Sequence, residues 1–237
     1  MALPKLGYPT YELELPSTGK TVKYRPFLVK EEKVLLLALE GKDEKNIVNA
    51  VKDLLRNCVI SRIKVDTLPS FDLEYLFLKI RAASIGEEIS LSVTCLDDKK
   101  TQVEAKININ EVEVFKPKGH NTKIMFDKTT GIIMKYPSMQ QFIEREFLQK
   151  EMKTEEIYDF IASSIDQIFD AEEVYDKTTT TKKEFRTFVD TLTTKQFEKI
   201  QQFYSTAPKL THTFKVTNPN TGKESDYTIE GLQSFFA

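Results

Sequence analysis

Two cysteines and two histidines, Cys58, Cys95, His120 and His212, are the only thiol and imidazole side chains in this 237-residue sequence. A zinc site needs thiolates or imidazoles clustered at short, set spacings, and these four are scattered. No serine sits in a G-x-S-x-G turn that would raise its hydroxyl as a nucleophile. The acidic run Asp166, Asp170, Glu172, Glu173 and Asp176 lacks the D-x-D-x-D-G order of a calcium loop and reads as a solvated helix end. Gly19-Lys20-Thr21 lacks the upstream glycine of a phosphate-binding loop. Lys99-Lys100 and Lys182-Lys183 are too short to argue for nucleic acid. The expectation is a protein with no catalytic residues, no metal site and no cofactor. The enzymatic alternative is a site, such as a Ser–His–Asp set, assembled from scattered residues.

Composition points the same way. Hydrophobic residues make up 40% and charged residues 30%, as in a globular protein. With 34 basic and 36 acidic residues the net charge is −2, which gives no general attraction to a polyanion or an acidic membrane. No apolar run approaches the ~18 residues of a membrane span, and MALPKLGYPTYELEL has no apolar signal-peptide region. These features lead us to expect a cytosolic setting with reduced cysteines. Tryptophan is absent, and 16 Phe and 9 Tyr carry the aromatic packing.

The elements organise around Leu68–Gly86, LPSFDLEYLFLKIRAASIG. Leu73, Leu76, Phe77 and Ile80 recur at helical spacing, and Tyr75 and Leu78 widen the stripe, which predicts a core helix over 70–85. Ser70 is expected to cap it, Asp72 and Glu74 to face its positive end, and Gly86 to take a left-handed cap. Before it, 10–28 reads as a hairpin turning at PSTGK. Val29–Glu40 reads as a short leucine-rich helix ended by Gly41. Glu44–Ile60 reads as an amphipathic helix that buries Cys58 as a small apolar group.

After it, Ile89–Val93 and Val103–Ile109 alternate as paired strands, with Val112–Phe115 closing the segment. FKPKGHNTK has linker composition. Residues 124–126 and 132–134 suit a small hairpin. From Pro137 short helices follow, with capping boxes at Ser138/Gln141, Thr181/Glu184 and Thr193/Gln196. Ile157, Tyr158, Ile161, Ile165 and Ile168 predict one continuous helix, and Ala171–Glu184 an exposed loop. The chain closes with a hairpin turning at NPNTGK. The two P-x-T-G-K turns echo one another; T-G-K is good turn chemistry, and descent of the hairpins from one module is the other reading. The fold class is α+β, in two parts: an α+β domain over 1–136 and a mainly helical domain over 137–237 with a terminal hairpin.

Three stretches carry a resemblance: MALPKLGYPTYELELPSTGKTVKYRPFLVKEEKVLL; FDLEYLFLKIRAASIGEEI; and FVDTLTTKQFEKIQQFYSTAPKLTHTFKVTNPNTGKESDYTIEGLQSFF. Together they resemble the baseplate hub proteins of T4-like contractile-tailed bacteriophages, a family with a hub subunit and a related hub-assembly catalyst. Residues 115–180 resemble it least. The resemblance implies a structural or assembly component acting through protein–protein contacts, in the host cytoplasm during assembly or in the virion tail. Its partners are then other hub or tail proteins or further copies of itself, with no nucleic acid and no membrane. A cytosolic chaperone-like adaptor outside tail assembly is the alternative. The tail GLQSFFA makes Phe235 and Phe236 the candidate docking residues. Either they fold back on the helices at 181–205, which Gly231 and the short connection favour, or they dock into a partner.

Overall fold

The computed structural model describes residues 7–41, 43–146 and 152–235. The chain is mixed α+β, and its contacts divide it into two compact units that interleave along the sequence. The first comprises Met1–Phe115, Ser138–Leu148 and Lys209–Ala237; the second comprises Lys116–Pro137 and Gln149–Pro208. The sequence suggested contiguous parts meeting at 136/137. Instead the C-terminal hairpin belongs with the N-terminal elements, because its first strand pairs with a strand ending at Phe115. Composition and periodicity carry no information about such a distant pairing.

The first unit opens with hairpin β1 (Tyr11–Glu14) and β2 (Thr21–Tyr24), followed by helices α1 (Val29–Gly41), α2 (Glu44–Cys58) and α3 (Ser70–Ile85). Hairpin β3 (Glu88–Thr94) and β4 (Gln102–Asn108) comes next, then β5 (Glu113–Phe115). Helix α3 is the centre. Leu73, Leu76, Leu78 and Ile80 are all fully buried although they point in different directions round the helix. They share one core with Val51, Leu54 and Leu55 of α2, and with Leu210, Leu232 and Phe235 from the C-terminal end.

The polar groups of α3 differ from expectation. Ser70 is the first helical residue rather than the cap, and Pro69 occupies the cap position with no side-chain bond. Asp72 is fully buried and accepts from the Ser17 backbone N–H at 3.0 Å and from the Ser17 hydroxyl. A buried carboxylate needs such donors, so the first hairpin turn is tied to this helix. Lys79 is buried too, donating to the Ile109 and Asn110 carbonyls at 3.0 and 3.3 Å. Gly86 has φ 142 and ψ 158, outside the left-handed helical well but still in a region few side chains tolerate.

The hairpins share one turn design. Gly19, Lys99 and Gly222 have φ of 69, 55 and 71, and each donates its N–H to the carbonyl four residues back. The echo noted in the sequence is thus a common backbone turn, and it extends to a third hairpin where lysine replaces glycine. The tips of two of these hairpins are joined. Buried Asn218 donates to Asp97 at 2.9 Å, and the Thr221 hydroxyl donates to the same carboxylate at 2.5 Å.

The second unit is a four-stranded antiparallel sheet with three helices. Its strands β6 (Lys123–Met125), β7 (Gly131–Met134), β8 (Ile165–Phe169) and β9 (Val174–Asp176) lie in that order. Helix α4 (Met139–Glu146) is part of the first unit, whereas α5 (Thr154–Ser163), α6 (Lys182–Thr191) and α7 (Thr194–Ser205) belong to the second. The three expected capping boxes all form. The continuous helix through Ile168 does not: α5 stops at Ser163 and β8 follows. Met134 pairs with Ile165 but Ile133 with Gln167, so Asp166 is an extra residue in a bulge. A bulge puts residues three apart on one strand face, here Ile165 and Ile168, which imitates helical spacing. Strand β9 likewise replaces part of the expected loop at 171–184. Gly131 is required by packing, since a Cβ there would stand 2.5 Å from the Ile124 carbonyl oxygen. The strands β10 (Lys209–Thr217) and β11 (Glu224–Glu230) complete the first unit.

The burial of α3 sets a contrast. Leu76→Ala should cost about 2–5 kcal/mol in denaturant unfolding, while Leu36→Ala on α1 should stay within ~0.5 kcal/mol. Equal costs at the two positions would show that α3 is not the centre of the core.

Candidate partner-docking surface

The site begins at Arg25, just beyond β2. Its backbone N–H bonds the Cys58 carbonyl at 2.9 Å, so it is fixed to the end of α2. Its guanidinium grips Glu31 in a two-point pair, Nη1 to Oε2 at 2.9 Å and Nη2 to Oε1 at 2.7 Å. Both residues are buried. The Glu31 carboxylate also accepts from the Leu28 N–H at 2.7 Å, where the helix has a donor without a helical partner. The Arg25 hydrogen bond, together with the Leu28 N–H, holds the Glu31 carboxyl below its ordinary value, and the same bond raises the Arg25 guanidinium. Cys58 lies 3.9 Å from Arg25 Nη1, yet burial pushes its thiol up to about 12, so it packs as an uncharged thiol.

The pair orients α1. Glu31 points inward, and at about 100° per residue Leu35 and Ala38 share its face. Ala38 packs with Ile47 and Ala50 of α2, and half-buried Leu35 borders them. Apolar residues flank the outward side: Val29, Leu36 and Leu37 are 81%, 52% and 56% exposed, and Val34, nearer Glu31, is 55% exposed. Lys33 and Glu40 lie between the two flanks. One exposed leucine is ordinary, whereas several on one 13-residue helix form a patch. Beside it runs a groove of about 220 Å³ whose lining includes Val34, Ala50, Leu54, Asp53 and Lys30.

Phe235, expected either to fold back on the helices at 181–205 or to dock into a partner, is buried within its own chain at 1% exposure. It packs into the α3 core rather than onto the helices at 182–205, whose side chains belong to a separate core. Phe236 lies outside the described residues. The exposed apolar residues of α1 were missed in the sequence because LLLALE has no amphipathic period. The available signal was that the consecutive residues Leu35, Leu36 and Leu37 of one helix cannot all face the same core.

The other chemistry-bearing residues lie apart. Cys58 and Cys95 are both free and buried. His120 is held between the Tyr136 hydroxyl at 2.8 Å and the Thr206 hydroxyl at 3.0 Å, and burial lowers its pKa. His212 lies on β10 beside Phe214. Asp170 and Asp176 accept backbone N–H groups in the turns at either end of β9, not at a helix end. Among the described residues, no three His, Cys, Asp or Glu side chains converge to hold a metal.

The sequence model of the T4 bacteriophage base plate protein family matches residues 8–237. The chain belongs to that family. No curated protein and no solved structure matches it. As a phage baseplate component it is placed in the tail, and among its described residues no helix is long and apolar enough to cross a membrane.

Glu31→Ala leaves the Arg25 charge buried without its carboxylate and should cost about 3–5 kcal/mol, more than the double change Arg25→Met/Glu31→Leu. The pair's contribution is full above the ordinary glutamate value of 4.5 and is lost as pH falls toward the lowered folded value. A single-variant cost under ~1 kcal/mol, as for a surface pair, would show that the pair does not anchor α1.

Proposed function

We propose that the chain is a structural or assembly component of the baseplate hub that works through protein–protein contacts rather than covalent catalysis. The outward face of α1 docks another hub or tail protein. The observation that carries this reading is the exposure of Val29, Leu36 and Leu37 on the side of α1 away from the buried Arg25–Glu31 pair, with exposed Val34 at the edge beside Glu31. Fully burying such a side chain is worth about 1.5–3 kcal/mol, and these are already partly covered. Four of them supply several kcal/mol, which is the centre of an interface rather than the whole of one. The hub assignment within the baseplate family is supported by the N-terminal, central and C-terminal stretches that resemble hub proteins. The partner meets the chain in the host cytoplasm as the tail is built.

The triple variant Val34→Ser/Leu36→Ser/Leu37→Ser tests it. It should melt within ~0.5 kcal/mol of the parent, as exposed substitutions do. It should also lose co-purification with tail proteins from infected cells and fail to rescue phage lacking the protein. Normal rescue and normal co-purification would overturn the reading.

A further inference from the structure

The second unit holds a feature that the α1 surface does not use. A cavity of about 730 Å³ opens between α5 and the start of α6. Its apolar wall is Ala162 and Phe185, and its rim carries Lys177, Lys182 and Lys183 with Thr180 and Thr181. Arg186 and Asp159 also line it, but they are committed to each other. Arg186 Nε bonds Asp159 at 3.1 Å, Nη2 bonds Glu155 at 2.9 Å, and the guanidinium also pairs with Asp190. The lysines have no such partners. Among the described residues none of Lys177, Lys182 and Lys183 makes an ion pair; Lys177 donates to the Ser163 carbonyl at 3.3 Å. The carboxylate nearest in effect is Asp166, which acts on Lys177 without pairing with it, while Lys135 and Lys182 repel it.

We propose that this cleft binds an acidic peptide segment of a baseplate partner, its carboxylates on the Lys177–Lys182–Lys183 rim and an apolar side chain against Phe185 and Ala162. The size is that of a peptide or small-ligand site, several-fold larger than a single anion needs. The apolar wall would gain nothing from a free phosphate, whereas an acidic segment with one apolar residue satisfies both parts. The three lysines stand exposed on one rim, and partial desolvation, with Lys135 and Lys182 repelling it, lowers the Lys177 ammonium to about 8. An arriving carboxylate relieves that repulsion.

The proposal rests on the chain acting by protein contacts but uses a different surface, so the two readings fail separately. The full chain is probed with an array of overlapping 12-residue peptides spanning the phage's tail proteins. The parent should retain peptides rich in Asp and Glu that carry an apolar residue, and lose them when Asp/Glu are changed to Asn/Gln. Lys177→Gln/Lys182→Gln/Lys183→Gln, checked for an unchanged melting temperature, should weaken binding at least ~10-fold, and rising salt should weaken the parent's binding. The α1 triple variant should bind these peptides as the parent does. Equal retention of acidic and neutral peptides, or unchanged binding by the lysine variant, would overturn the proposal. So would an array that stays blank while millimolar inorganic phosphate binds, which makes the cleft an anion site. Self-association lost in the lysine variant with no peptide bound would assign the cleft to a second copy and overturn it as well.

Discussion

Helix α3 has no face to give to water, and the arrangement of the first unit follows from that. Its buried residues follow one another from Phe71 to Ile80 almost without interruption, so every side must be covered. The neighbouring hairpins and α2 cover part of it. The rest is supplied by α4 and by the C-terminal strand and turn, which bring Phe142, Leu210, Leu232 and Phe235 to the same core. The polar residues on α3 add a second constraint. Asp72 and Lys79 are buried, and each must find hydrogen-bond partners inside. They find them on the first hairpin turn and on the carbonyls of Ile109 and Asn110, which fixes where those loops sit. The interleaving of the units is thus the geometric cost of wrapping one helix completely.

Helix α1 shows the opposite solution. Its sequence is nearly as apolar as that of α3, but nothing in its own chain wraps its outer side. The Arg25–Glu31 pair turns the helix so that a glutamate faces in and leucines face out. A monomer selected only for its own stability has little reason to adopt that arrangement, because it desolvates two charges and leaves apolar area in water. A subunit of an assembly does, since a partner then covers the apolar side.

Much of this was legible in the sequence, for identifiable reasons. The three capping boxes, the hairpin turns and the core helix are local signals, written within a few residues, and each appears where the spacing put it. What failed was non-local or ambiguous. Ile165 and Ile168 fit a helix as well as a bulged strand, and only pairing with Ile133 and Met134 decides between them. Phe235 read as an end seeking cover, which it is, but its cover is the α3 core and not the helices just before it in the chain. The α1 surface was illegible because consecutive leucines do not say which of them face inward. That depends on Arg25, six residues before Glu31, and on whether that pair is buried.

The central claim is that the outer face of α1 is free in the isolated chain and covered in the assembly. Cys58 and Cys95 are both buried, so Leu37→Cys provides one accessible thiol on that face. The measurement is its rate of alkylation in the purified protein and in baseplate intermediates isolated from infected cells. The account predicts fast labelling of the free protein and strong protection in the intermediates. Equal labelling in both would contradict it.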